Sequence, residues 1–232
     1  KSNVIDYTII KSLLSSNGDP NRSAKGCDTA TKLTKAQIQT IKNAGYEYVG
    51  RYLSNTPGGT LDKALTKTEV KNILNAGLKL FAIFQETGSS AKNFTSSTGK
   101  TNGQKAYDAA NELDIIHGST IYFAVDFDPT DSVIKSNIIP YFESILSSYA
   151  ARKYKIGVYG TRNVCHKLRN QLGINKFFVS DASYGFSGNL GYIMPDGWCF
   201  DQFKTDITIG LDDGKVSIVW VAVSNRATGI EY

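Results

Sequence analysis

The sequence is poor in residues that build covalent or metal-held frameworks. Its 232 residues include only three cysteines and two histidines. The odd, low cysteine count argues against a disulfide framework, and the positions of Cys27, Cys165 and Cys199 match no zinc-ligand spacing. Cys27 and Cys199 fall in predicted strands, where we expect small buried hydrophobic side chains. With His117 and His166 both in predicted helices, we expect neither a metal nor a cofactor.

Long apolar runs and blocks of like charge are also missing. No apolar stretch reaches the roughly 18 residues that cross a bilayer, so the sequence predicts no membrane span. The net charge is +5, with the lysines scattered rather than clustered. That excludes a nucleic-acid-binding tail and leaves an ordinary solvated surface or weak attraction to an anionic partner such as a bacterial wall. The glycine motifs of phosphate sites and the serine-hydrolase elbow are absent.

Strand and helix patterns alternate along most of the chain. Apolar segments predict eight strands, over 25–30, 46–53, 79–85, 119–126, 155–160, 176–182, 198–203 and 216–223. Helical periodicity predicts helices over 34–45, 66–77, 102–117, 132–153 and 163–172, the first two beginning with capping boxes at Thr34 and Thr66. A polar loop is predicted over 86–101.

This order predicts one α/β domain, a (β/α)8 TIM-like barrel with parallel strands. No helix is evident between strands six and seven or between seven and eight, so we expect irregularity in the last third of the barrel. We assign residues 25–232 to this barrel. Residues 1–24 are predicted to be an N-terminal lead-in, weakly helical over 5–14 and rich in turn-forming residues over 15–23.

Acidic and amide side chains recur near the ends of the predicted strands. In barrels of this kind the functional groups gather at the carboxyl ends of the strands. The positions are Asp28, Gln85, Glu86, Asp126, Asp128, Tyr159, Asp181, Asp201 and Gln202. Each acid alone could cap a turn or helix, but their recurrence on successive strands predicts a mouth lined with carboxylates.

The sharpest local feature is Ala124-Val125-Asp126-Phe127-Asp128-Pro129. Because side chains alternate along a strand, Asp126 and Asp128 are expected on one face with Cα atoms about 6–7 Å apart. Burial would raise the pKa of one carboxyl, leaving one proton donor and one anion, the pair that a glycosidase needs. The alternatives are a hard metal ion in a phosphate-ester hydrolase, or Asp128 as a turn cap before Pro129.

The motifs and their order resemble glycoside hydrolase family 25, the lysozyme family with an irregular barrel. They look closest to its divergent glycoside-hydrolase-like branch of secreted bacterial proteins, a domain of unknown function. The resemblance covers about residues 25–224. It is carried by Gly26-Cys27-Asp28-Thr29, Tyr48-Val49-Gly50-Arg51-Tyr52-Leu53, the segment IYFAVDFD at 121–128 and Gly157-Val158-Tyr159-Gly160.

The resemblance implies cleavage of the β-1,4 bond after N-acetylmuramic acid in peptidoglycan. It implies that Asp128 is the general acid, that Asp126 orients the N-acetyl group or stabilises the intermediate, and that Asp28 supports the site electrostatically. It also implies a sugar groove lined by Gln85, Tyr159 and Gln202. Further candidate substrate-binding residues near the same strands are Asp181, Arg51, Tyr52 and Trp198.

The resemblance further implies a secreted or wall-associated protein, although no leader is visible in the sequence. We expect a monomer whose partner is cell-wall polysaccharide.

Two departures from the lysozymes leave a second interpretation open. Their proton donor is Glu, and Asp128 is one methylene shorter, a misplacement of about 1 Å that can cost on the order of 100-fold in rate. Their last strand carries an Asp and an Asn, whereas Val216-Ser217-Ile218-Val219 has no acid, unless Asp212 or Asp213 substitutes. The alternative to a glycosidase is a catalytically weak or inactive glycan-binding domain on the same fold.

Overall fold

The computed structural model describes residues 22–231, which form a closed barrel of eight strands in chain order. The strands are β1 (Gly26–Asp28), β2 (Tyr48–Tyr52), β3 (Lys79–Phe84), β4 (Thr120–Ala124), β5 (Lys155–Gly160), β6 (Phe177–Val179), β7 (Trp198–Ile209) and β8 (Val216–Val223). The barrel prediction is therefore confirmed. The helix predicted over 5–14 lies outside the described residues, as does most of the predicted lead-in.

Helices surround the barrel. They are α1 (Lys35–Asn43), α2 (Lys67–Asn75), α3 (Ser96–Glu112), α4 (Ile139–Leu146), α5 (Ala150–Lys153) and α6 (Arg162–Leu172). A short α-helical segment, Asp131–Val133, and a π-helical turn, Ile134–Ile138, lead into α4, and 3-10 turns occupy Ala91–Asn93 and Asp212–Gly214. Between residues 22 and 231, none of the helices has the length and apolar character needed to span a bilayer.

Strand β8 runs against its neighbours. Strands β1 to β7 are parallel, whereas β8 is antiparallel to both β7 and β1. The expectation of parallel strands is therefore wrong for β8, because residues 210–215 are too short for the crossover of about a dozen residues that a parallel pair requires. The expected irregularity in the last third is confirmed.

The carboxyl ends of β1 to β7 lie together at one end of the barrel, which we call the mouth. Because β8 is antiparallel, its amino end lies at the mouth.

Aromatic rings fill the barrel below the mouth. Phe81 and Phe200 stack with centroids 4.0 Å apart, and Tyr122 and Phe178 meet them edge-on. Gly50 faces this plug because a Cβ there would lie 2.4 Å from the Phe81 ring. The barrel is thus a packed core rather than a pore.

Two predicted helices differ in their limits. Helix α3 begins at Ser96 rather than at residue 102, because Thr95 caps it. The Thr95 side chain accepts the backbone N–H of Thr98, and the Thr98 side chain accepts the backbone N–H of Thr95, so Thr takes the place of the usual Glu or Gln in this capping box. The helix predicted over 132–153 is interrupted by the π-helical turn just before Pro140, which lacks a backbone N–H, and again after Leu146.

The two predicted capping boxes also have different outcomes. Thr34 and Gln37 form the complete box at α1. At α2 the Thr66 side chain accepts the backbone N–H of Glu69, but the Glu69 carboxylate binds buried Arg51 instead of returning to Thr66. A buried guanidinium is the stronger partner, so the second box is only half formed.

The last described residues return to the amino ends of the strands. Ile230 and Leu80 exchange two backbone hydrogen bonds, of 2.7 and 3.0 Å. Leu80 is the second residue of β3, so this bridge lies at the end of the barrel opposite the mouth.

Candidate active site

A hydrogen-bonded chain crosses the mouth from β5 to β1. The Tyr159 hydroxyl donates to Oε1 of Gln202 at 2.9 Å, and Nε2 of Gln202 donates to Oδ2 of Asp28 at 2.8 Å. The tyrosine thereby orients the amide so that its N–H faces the carboxyl group. Strand alternation explains the placement, since Gln202 lies two residues after Phe200 and shares its inward face.

Asp28, the acid at the end of this hydrogen-bonded chain, has a raised pKa. It is only 2% exposed, and burial raises its pKa to about 7. The Gln202 hydrogen bond lowers the pKa by less, the nearby charge of Asp126 raises it, and Arg51 lowers it. Asp28 therefore retains a proton up to about neutral pH.

Asp126 lies exposed at the rim of the mouth. Its Oδ2 accepts Nε2 of Gln85 at 3.0 Å, and its backbone N–H donates to the carbonyl of Gly88 at 2.8 Å. Burial raises the pKa values of Tyr52 and Tyr159, and the charges of Asp28 and Asp126 raise them further. The mouth thus brings two carboxyl groups and two phenols within electrostatic range.

Asp128 serves a different part of the structure. Strand β4 ends at Ala124, so strand alternation does not continue through Asp128. Its carboxylate accepts the backbone N–H and hydroxyl of Ser187 at 2.6 and 2.7 Å, and the N–H of Gly188 at 2.9 Å. These contacts fasten the loop between β6 and β7 to the end of β4, while Asp126 contacts Gln85.

Lys63 is a mouth residue that strand-end reasoning missed. It lies in the connection between β2 and α2 and is 6% exposed. Its ammonium donates to the Gln85 carbonyl at 2.9 Å and lies 4.4 Å from the centroid of the Tyr52 ring. Burial lowers its pKa, and the charge of Asp126 opposes that shift. The surrounding turn-rich sequence carries no signal that would place this lysine in the mouth.

Arg51 is placed behind the barrel wall rather than in the mouth. It is fully buried and donates from Nε to Oε1 of Glu69 at 2.6 Å and from Nη1 to the carbonyl of Thr29 at 2.8 Å. Its contacts tie β2 to α2 and to the segment after β1. The structure therefore gives this candidate groove residue a structural set of partners.

Asp181 likewise points away from the mouth, toward α6. Its Oδ1 accepts Nε of Arg162 at 2.8 Å, and Arg22 contacts its Oδ2. Asp201 shares Arg22, and burial followed by the charge of Asp181 raises its pKa well above the ordinary range. The acids of β6 and β7 thus form a buried charge network around two arginines.

Two other candidates are distant from the cluster. Trp198 is the first residue of β7 and so lies near the amino ends of the strands, opposite Asp28 and Asp126. Asp212 and Asp213 lie exposed in the turn between β7 and β8, which packs beside α1 through a hydrogen bond from Gln37 to the Lys215 carbonyl. The amino end of β8 therefore brings no acid to the mouth.

A polar groove of about 660 Å³ begins at Gln85. Its lining residues are Thr56, Lys63, Gln85, Glu86, Thr87, Gly88, Ser89, Ser90, Lys92 and Asn93. Within residues 22–231, no three His, Cys, Asp or Glu side chains cluster in a way that could hold a metal ion. Hydroxyl, amide and ammonium groups line the groove together with the carboxylate of Glu86.

Residues 39–218 match the family model of the Rv2525c-like, glycoside hydrolase-like domain. The chain belongs to this family. The resemblance to the divergent glycoside-hydrolase-like branch is thereby confirmed.

Two Bacillus subtilis (strain 168) proteins of similar sequence are FadG, 42% identical over 94% of this chain, and YbfG, 46% identical over 97%. The chain spans only 38% and 32% of their lengths.

Solved structures share the barrel at low identity. The Mycobacterium tuberculosis Tat-secreted protein Rv2525c, in complex with L-tartrate, has a TM-score of 0.73 at 21% identity, covering 88% of this chain and 97% of that one. The Streptomyces coelicolor lysozyme has a TM-score of 0.52 at 15% identity, covering 87% and 92%. The Streptococcus pneumoniae modular autolysin LytC, with a synthetic peptidoglycan ligand, has a TM-score of 0.52 at 12% identity, covering 84% and 45%. These likenesses establish the fold.

Proposed function

We propose that this domain is a glycoside hydrolase that cleaves peptidoglycan or a related wall glycan with carboxyl groups at the barrel mouth. The observation that carries the proposal is the contrast between two neighbouring acids. Asp28 is buried and keeps its proton to about pH 7, whereas Asp126 is exposed at the rim. Two carboxyl groups in different environments supply one proton donor and one anion, which is what glycosidic cleavage requires.

The contacts suggest a division of labour among the three candidate catalytic acids. Asp28 would donate the proton to the oxygen of the bond being broken, with its orientation held by Gln202 and Tyr159. Asp126 would stabilise the positive charge that develops on the sugar, with Gln85 fixing its carboxylate. Asp128 would act indirectly, by holding the loop after β6 against the mouth.

A wall glycan is supported by the related barrels and by charge. One solved neighbour is a bacterial lysozyme, and another is an autolysin solved with a peptidoglycan ligand. The Rv2525c relative is Tat-secreted, which supports an extracellular or wall-associated location for this domain as well. The net charge of +5 favours association with an anionic wall. We propose that the domain acts as a monomer.

A specific observation also favours the second candidate, a wall-glycan-binding domain without turnover. The residue that the resemblance implies as general acid, Asp128, is occupied by three hydrogen bonds to Ser187 and Gly188. The amino end of β8, from Val216 to Val219, adds no acid to replace it. Such a domain would bind the same glycan with the same groove and release no product.

The deciding experiment measures reducing ends and soluble muropeptides released from purified cell walls between pH 4 and 8. We expect release by the parent protein, falling above pH 7 as Asp28 loses its proton, and a loss on the order of 100-fold in Asp126→Asn and in Asp28→Asn. Asp108→Asn, an exposed change on α3, is the matched control and should retain full activity. Wall binding without release by the parent would favour the binding domain instead.

A further inference from the structure

One cation lies among the acids of the mouth without a carboxylate of its own. Lys63 is 6% exposed, and its ammonium is hydrogen bonded to the neutral Gln85 carbonyl and faces the Tyr52 ring. Across residues 22–231, no carboxylate lies within ion-pair distance of it, although Asp126 and Glu86 lie in electrostatic range. Holding a charge in such a site is costly unless an anion completes it.

The groove beside Lys63 has a positive balance. Lys92 is exposed on the same groove. Glu86 is the only acid among the described residues that line the groove, and it already pairs with Lys105 of α3 at 2.7 Å. Lys63 and Lys92 therefore face the groove as cations, while the charge of Glu86 is neutralised by Lys105, which does not line the groove.

We infer that this groove binds an anionic substituent of the glycan, a carboxylate or a phosphate ester, on the sugar beside the one at Asp126. Lys63 and Lys92 would select that substituent. The inference rests on the proposed function for the assumption that the ligand is a glycan, and it adds the substrate's charge and direction. Because the lysines attract an anion in the groove and Asp126 repels one placed against its own carboxylate, a charged glycan would bind in one direction only.

A neutral sugar would not use this arrangement. Sugar hydroxyls are satisfied by amide and carboxylate groups, which Gln85 and Asp126 already supply. A nearly buried ammonium gains most from a charge-assisted hydrogen bond to an anionic oxygen, which is about twice as strong as a neutral one. The surrounding hydroxyl of Ser89 adds a donor suited to the same anion.

The test uses glycan chains from which the peptides have been removed, so that the muramyl carboxylates are free. The chains are prepared in three forms. One is untreated, one has its carboxyl groups reduced to alcohols, and one has its phosphate esters removed by hydrofluoric acid. Binding is measured by calorimetry and cleavage by reducing ends. We expect the parent to bind the untreated chains about 10-fold more tightly than the form that lacks the recognised anion. The form that loses affinity identifies that anion.

Lys63→Gln and Lys92→Gln should each weaken binding of the untreated chains about 10-fold and leave binding of the neutralised chains unchanged. Lys63→Arg should retain the preference, and Lys100→Gln, exposed on α3, is the control. Thermal unfolding checks that Lys63→Gln is folded; if it is not, Lys92→Gln decides, because Lys92 is exposed.

Equal binding of charged and neutralised chains by the parent, or equal weakening of both in the two variants, would overturn the inference. If the parent still cleaves walls in that case, the proposed function stands alone. If the parent shows the charge preference and cleaves nothing, the proposed hydrolase activity fails and the anionic subsite belongs to a binding domain. Absence of both binding and cleavage would reject the inference and the hydrolase together.

Discussion

Environment, rather than residue type, distinguishes the acids of this domain. Asp28, Asp126 and Asp128 all lie at or just beyond the carboxyl end of a strand, yet one is buried, one is exposed and one is bound to a loop. The positions could be predicted from the sequence because strands end where polar residues begin. Their roles could not, because each depends on partners far along the chain, such as Gln202 for Asp28 and Ser187 for Asp128.

The raised pKa of Asp28 has a consequence for stability. A carboxyl group whose pKa is about 7 when folded and about 4 when unfolded keeps more protons in the folded state between those values. The contribution of Asp28 to the free energy of unfolding should therefore fall as pH rises from 4 to 7, by up to about 1.4 kcal/mol per pH unit.

The measurement is urea unfolding of the parent and Asp28→Asn at pH 4, 5.5, 7 and 8. The difference between the two proteins isolates Asp28 from Asp201, whose pKa is also raised. We expect Asp28→Asn to gain stability relative to the parent as pH rises. Parallel curves for the two proteins would contradict the raised pKa.

Among the elements, the connections differ most from what periodicity predicts. The half-formed box at Thr66 shows why: the helix start is encoded locally, but the destination of the Glu69 carboxylate is decided by Arg51, which lies on another element. The antiparallel β8 could not be predicted, because the sequence predicts that strand seven ends at 203, and only the extension of β7 to Ile209 shortens the connection to residues 210–215. No local pattern indicates either that the loop after β6 is held by Asp128.

Removing the Asp128 carboxylate should loosen the loop between β6 and β7 without unfolding the barrel. Asp128→Ala leaves the N–H groups of Ser187 and Gly188 without their acceptor, at a cost of roughly 1–3 kcal/mol. We expect faster amide hydrogen exchange across residues 182–197 and unchanged exchange in β1 to β5. Asp108→Asn, an exposed change on α3, is the control. Unchanged exchange at Ser187 and Gly188 would show that other contacts hold the loop.

For the whole molecule, the packed centre of the barrel positions the mouth. A Cβ at Gly50 would lie 2.4 Å from the Phe81 ring and 2.9 Å from the Cβ of Asp28, so one position separates the aromatic plug from the buried acid. The plug follows from the barrel itself, since the inward side chains of each strand must fill the interior. The closeness of plug and acid follows from the parallel register of β1 and β2, in which Asp28 pairs with Gly50.

Gly50→Ala should therefore affect both stability and the site. We expect a loss of roughly 1–3 kcal/mol in unfolding free energy from overpacking, together with weaker glycan cleavage or binding because Asp28 is displaced. Gly185→Ala is the matched control, since a Cβ there meets no atom within 4 Å. A Gly50→Ala protein that is destabilised but fully functional would show that the plug and the acid move independently.

The position of the bridge between Ile230 and Leu80 also determines which side of the domain a linker or a solid support can be attached to. Since it lies at the end of the barrel opposite the mouth, a linker joined after Glu231 would begin on the far side from Asp28 and Asp126. Immobilising the domain on a bead or sensor chip through that side would present the mouth to the solution. An insoluble polymer could then approach it without being blocked by the support.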